Sequence, residues 1–115
     1  MALRMSTREV RGIIVIDLNG QITLGEASAA LRDELRDQLN QQCSKMVLNL
    51  ADVTYIDSAG LGELTAAYTS VKNRGGQLKL LNLTKRVHDL MQITKLYTVF
   101  DVFDDEKKAL ASFGA

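Results

Sequence analysis

Leu3, Met5 and Thr7 alternate with polar or charged neighbours, and beyond Arg11-Gly12 the chain enters Ile13-Ile14-Val15-Ile16-Asp17-Leu18, a run rich in β-branched residues. Alternation and β-branching both suit a pleated surface, so this opening predicts two strands joined by a short hairpin. Thr23 followed by Glu26 has the spacing of a capping box, and Leu31, Leu35 and Leu39 repeat at every fourth position, so a helix is expected over residues 24–40. Met46-Val47-Leu48-Asn49-Leu50 is a short apolar run suited to a strand covered on both faces. Leu61, Leu64, Tyr68 and Val71 then recur at spacings of three, four and three, one face of a helix starting near Asp57 or Ser58. Asn73-Arg74-Gly75-Gly76 ends it, with Gly75 as the C-terminal stop.

The pattern continues in the same rhythm. Leu78, Leu80 and Leu81 supply another strand, and Val87, Leu90 and Met91 make the apolar stripe of a third helix capped by Thr84. Val99-Phe100-Asp101-Val102-Phe103 reads as a last strand. Asp104, Asp105 and Glu106 load the first turn of a terminal helix whose buried side is Ala109, Leu110 and Phe113. A hairpin followed by helix–strand units implies an α/β fold: a mixed sheet, largely parallel after the hairpin, covered by helices. No repeat, linker or low-complexity stretch interrupts it, and 115 residues suit one domain over 1–115.

Composition narrows the function classes. Hydrophobic residues at 46% and charged ones at 24% are ordinary for a globular protein. Fourteen basic side chains cancel fourteen acidic ones, so no global field draws in nucleic acid or an anionic membrane, and partner choice must be local. The first residues lack the apolar stretch of a signal peptide and no later run is long enough to span a bilayer, so a cytoplasmic location without membrane insertion is expected. Cys43 is the single cysteine, with no Cys or His neighbour at metal-ligand spacing, and it reads as an inert small side chain.

The segment with most chemical content is Asp57-Ser58-Ala59-Gly60-Leu61-Gly62, where a buried strand hands over to a helix. Unpaired backbone N–H groups and the positive end of the helix dipole meet at Ser58, so a phosphoryl group on its hydroxyl would be tolerated electrostatically. Asp and Ser are both favoured N-caps, however, and simple capping is an equally good use of the pair. Gly60 and Gly62 each weaken a first helical turn by about 1 kcal/mol relative to Ala, which points to some other use of the space, such as close approach by a partner.

On these residues the chain resembles the STAS family, which includes bacterial anti-sigma factor antagonists and domains at the ends of sulfate transporters. Asp52-Val53-Thr54-Tyr55-Ile56-Asp57-Ser58-Ala59-Gly60-Leu61-Gly62 is similar to the family signature. Asn19-Gly20-Gln21-Ile22-Thr23 resembles its early glycine turn, and Ile93-Thr94-Lys95-Leu96 its late loop. Many relatives carry an aspartate at the position of Thr23. The resemblance implies a STAS-like fold, phosphorylation at Ser58, and a partner surface of Gly20, Gln21, Thr23, Asp57, Ser58, Ala59, Gly60 and Leu61. It implies as partners an anti-sigma factor with serine kinase activity, and a serine phosphatase acting on the modified form. It implies no cofactor, metal or catalysis by this chain. An alternative within the family is an unphosphorylated accessory subunit of a transporter or signalling scaffold. Self-association is left open.

Other chemistries fit less well. A hydrolase would need Ser58 on a G-x-S-x-G elbow, but Ile56 stands at the first glycine position and His88 is the single histidine. An aspartyl phosphorylation switch needs paired acids after early strands, whereas Asp101, Asp104, Asp105 and Glu106 come late and suit a helix start. The glycines match neither a P-loop nor a dinucleotide fingerprint. Lys72, Arg74, Lys85 and Arg86 are candidates for a modest basic patch near one end of the sheet, with a solvated face as the alternative.

Overall fold

The computed structural model describes residues 3–41, 44–95 and 99–113. Strands β1 (Arg4–Val10) and β2 (Ile13–Ile22) form the expected hairpin. Both residues of its turn have positive φ, 54° at Arg11 and 80° at Gly12, as a primed two-residue turn requires. There follow α1 (Glu26–Asn40), β3 (Lys45–Ile56), α2 (Ser58–Asn73), β4 (Gln77–Leu81), α3 (Lys85–Thr94), β5 (Asp101–Phe103) and α4 (Glu106–Ala111). The strands lie side by side in chain order, with β1 antiparallel to β2 and each later pair parallel, so the mixed, largely parallel α/β sheet is present as expected.

Right-handed crossovers that step the same way across a sheet place their helices on the same face. Accordingly Leu31 and Leu35 of α1, Leu61, Leu64 and Val71 of α2, and Val87 and Met91 of α3 share one core with Ile14, Ile16, Met46, Leu48 and Leu80. Full burial of each large aliphatic side chain contributes about 1.5–3 kcal/mol, so this layer dominates the fold. Strand alternation turns Ile13, Val15, Val47 and Leu81 to the other face, where Ala109 of α4 and Phe113 just beyond it meet them.

That second face carries a polar clamp the sequence did not announce. Arg8 on β1 donates through Nε to Asp17 on β2 at 2.8 Å and through Nη1 to Glu106 of α4 at 3.0 Å. Its hydrogen bonds hold both carboxyls below their ordinary range and raise its own already high pKa. Asn49 also donates to Asp17, at 2.8 Å. Lys79 is buried on the same face, its ammonium donating to the Ser112 hydroxyl at 2.8 Å and lying 4.6 Å from the Phe113 ring centroid.

Several local expectations change. The capping box at Thr23 does not form: Gly25, at φ 109°, is the N-cap of α1, no side chain caps the helix, and the Thr23 carbonyl instead accepts from the Ser28 N–H at 3.2 Å. The helix therefore starts at Glu26, because a residue in the left-handed region cannot sit inside it. β3 runs six residues past its apolar core, its register with β2 shifting after Asp17 and after Gly20. β5 is shorter than the apolar run, since Val99 and Phe100 lie in a turn whose Phe100 packs edge-on against Tyr68 at 5.2 Å. Ile93 and Thr94 form the last turn of α3, with Lys95 as its left-handed cap, rather than a loop. Gly75 stops α2 as expected: its N–H donates to the Lys72 carbonyl and that of Gly76 to the Val71 carbonyl. Cys43 and Leu96 lie outside the described residues. Among the described residues no helix is long and apolar enough to cross a membrane.

Candidate functional site

Because β2 and β3 are parallel neighbours, both end at the same edge of the sheet. Gln21 pairs with Tyr55 and Ile22 with Ile56, which brings the β2–α1 turn beside the β3–α2 turn. Gly20, Gln21 and Thr23, far from Ser58 in sequence, are thereby set close to Asp57 and Ser58 in space.

Asp57 ties the two turns together. Its extended backbone makes it the N-cap of α2, and its carboxylate accepts from the Gly60 N–H at 2.7 Å and the Leu24 N–H at 3.2 Å. Its own N–H donates to the Ile22 carbonyl at 3.3 Å. Capping is thus the work of Asp57, and it leaves the adjacent serine unoccupied. Ser58 is the first residue of α2, exposed, and among the described residues its hydroxyl has no hydrogen-bond partner.

The two glycines that follow are not equivalent. A Cβ on Gly60 would lie 2.0 Å from the Ile22 carbonyl oxygen, so the close approach there comes from this chain's own β2. A Cβ on Gly62 would meet nothing within 4 Å. Gly60 is buried and Leu61 is only 2% exposed, so these two positions shape the site from beneath. Ala59, Gly20, Gln21 and Thr23 are half-buried around it.

Ser58 stands on the wall of an open groove of about 740 Å³ between the end of β3 and α3, shared with Tyr55, Lys85, Arg86, Asp89 and Ile93. The Arg86 guanidinium lies over the Tyr55 ring, 4.2 Å from its centroid, while Lys85 pairs with Asp89 at 3.1 Å. Two large apolar side chains stand out around this edge: Leu24, whose N–H is held by Asp57, and Ile93 in the groove wall, each 78% exposed. Exposed apolar side chains grouped about one polar centre are characteristic of a protein-docking surface.

The four-residue basic patch does not assemble. α2 runs back along the sheet, so Lys72 and Arg74 lie near the start of β4, while Lys85 and Arg86 follow its end. Arg74 instead reaches the Asn40 side chain at 3.4 Å, and Lys72 sits 5.9 Å from the Tyr68 ring centroid. The late acids are also dispersed: Asp105 caps α4, Glu106 binds Arg8, and Asp101 lies 3.8 Å from Lys79. Among the described residues no group of three or more His, Cys, Asp or Glu side chains could hold a metal ion. His88 is exposed on α3, 3.8 Å from Asp89, and is not part of the groove wall.

Leu24 is a site residue that the sequence reading passed over, and Tyr55 and Ile93 stand in it only as members of the segments matched to the family signature and late loop, with no role of their own. Alternation is the signal that would have found Tyr55, but the register shifts between β2 and β3 break it just before the site.

A model of the STAS domain matches residues 4–109 of this chain. The anti-sigma-B factor antagonist of Bacillus subtilis is 33% identical over 102 residues, covering 89% of this chain and 92% of that protein. The anti-sigma F factor antagonist of Paenibacillus polymyxa is 26% identical over 111 residues, covering 96% of this chain and 94% of that protein. A solved anti-sigma factor antagonist from Mycobacterium paratuberculosis superposes with a TM-score of 0.83 at 18% identity, over 96% of this chain and 93% of that one, which shows the same fold.

Proposed function

This chain belongs to the STAS domain family, and from that premise we propose that it is an anti-sigma factor antagonist switched off by phosphorylation at Ser58. The reading rests on the curated relatives named as such antagonists and, above all, on one observation: Asp57 takes the capping role and leaves the neighbouring Ser58 hydroxyl exposed and, among the described residues, unpartnered. In this account the unmodified domain docks on an anti-sigma factor through the edge that carries Ser58, Leu24 and Ile93. That partner acts as a serine kinase. The Ser58 Oγ forms a bond to the γ-phosphorus of the partner's ATP, the bond to the bridging oxygen of ADP breaks, and the hydroxyl proton passes to a base on the partner. A separate phosphatase hydrolyses the ester and restores the hydroxyl. The domain itself catalyses nothing and works in the cytoplasm.

The switch needs no refolding. A phosphoserine adds about −1.5 to −2 charges beside the Asp57 carboxylate, on a surface that must be desolvated for docking. Burying that charge against a partner shaped for a neutral hydroxyl costs several kcal/mol, which is sufficient to separate a complex. The test is incubation with candidate kinase-type anti-sigma factors and ATP, followed by mapping of the modified residue. Phosphate on Ser58, and none on a Ser58→Ala chain, is expected; phosphate on another residue would remove the basis of the reading.

A further inference from the structure

The groove beside Ser58 contains two cations and two carboxylates, and only one ion pair forms among them. Asp57 is engaged by the Gly60 and Leu24 N–H groups. Asp89 is paired with Lys85. The Arg86 guanidinium carbon lies 4.2 Å from the Tyr55 ring centroid and, among the described residues, the group has no carboxylate partner. Tyr55 is three residues ahead of Ser58 in the chain, and both line the groove into which Arg86 projects. A guanidinium held against an aromatic ring by cation–π attraction loses less further entropy on binding an anion, and its fork of N–H donors suits recognition of phosphate oxygens.

We propose that Arg86, clamped on Tyr55, captures the phosphoryl group of phosphoserine 58 within the same chain, so that the modified domain closes its own docking groove. The inference rests on Ser58 being the modified residue and adds how the modified state is held. Repulsion from Asp57 alone would exclude the partner but leave the phosphate free to move in solvent. Pairing with Arg86 fixes it in the groove and occupies both the cation and the space that a docking partner would use. Lys85 is a weaker candidate for this role, because its ammonium is already paired with Asp89 and its stem is almost fully exposed.

The experiment uses the full chain with phosphoserine incorporated at position 58 during translation, so no kinase is involved and its outcome is independent of whether any partner modifies the site. The second ionisation of the phosphate is followed by ³¹P NMR against pH in the parent, Arg86→Gln, Lys85→Gln, Tyr55→Phe and Tyr55→Leu chains. A paired cation favours the dianion, so the phosphoserine of the parent should ionise about half a pH unit below that of the Arg86→Gln chain. Tyr55→Phe should keep the shift and Tyr55→Leu should lose most of it. An identical titration in the parent and Arg86→Gln chains would overturn the proposal, as would a shift abolished by Lys85→Gln alone. Because Arg86 is exposed, its replacement leaves the core intact and the comparison readable.

Discussion

At the scale of single residues, the site is a division of labour among neighbours of similar chemistry. Asp57 and Ser58 are both competent caps, and the sequence cannot choose between them; the extended backbone of Asp57 and its bonds to Gly60 and Leu24 make the choice. Gly60 and Gly62 look alike in the sequence for the same reason: the Ile22 carbonyl that distinguishes them comes from a strand far away in the chain. Substitution separates them. Gly60→Ala forces a Cβ into that carbonyl and should destabilise the fold by about 1–3 kcal/mol, the range for overpacking a tight interior. Gly62→Ala meets open space and should instead stabilise α2 by up to about 1 kcal/mol through helix propensity. Urea unfolding of both variants checks the pair, and equal effects at the two positions would contradict this assignment.

At the scale of elements, what was legible followed periodicity and what was not followed irregular backbone. The stripes of α1, α2 and α3 repeat at fixed spacings, so Leu31, Leu64 and Val87 are legible from the sequence, and the hairpin turn and the glycine stop of α2 carry local turn and cap signals. The failed capping box at Thr23 is a case of tertiary demand overriding a local signal: the β2–α1 turn is shaped to meet Asp57, and Gly25 absorbs the bend. The length of β3 was hidden by Ala51 and Asp52, exposed residues that interrupt its apolar run. Asp57 links these elements, which gives a prediction at this scale. Asp57→Ala removes the cap of α2 and the tie to the β2–α1 turn together, and should cost about 1–2 kcal/mol, with Asp57→Asn retaining most of the stability. Amide exchange should show the loss concentrated at Leu24 and Gly60, the two N–H groups released; a uniform change across the sheet would argue against a local tie.

At the scale of the whole molecule, the two faces of the sheet serve different ends: one edge presents Ser58, while the opposite face is fastened by Arg8 between the hairpin and α4. Asp17 and Glu106 are held below their ordinary values of 3.8 and 4.5, chiefly by hydrogen bonds from Arg8. A carboxyl with a depressed folded-state pKa stabilises fully above its unfolded value, and the contribution disappears as pH falls through the folded value. Arg8→Gln should therefore lose about 0.5–1.5 kcal/mol near neutrality, a modest figure because the groups are part-exposed, and the gap from the parent should narrow as the pH is lowered past 4. Urea unfolding at stepped pH measures it, and a gap that stays constant into strong acid would contradict the clamp. None of this bears on the end of the sheet that carries Ser58, where the proposed switch is local and requires no refolding. The most direct measurement is the affinity of one anti-sigma factor for the unmodified chain and for the same chain carrying phosphoserine at 58. A loss of about 100-fold or more, corresponding to roughly 3 kcal/mol, is predicted with both forms equally folded. Equal affinity for the two forms would contradict the account.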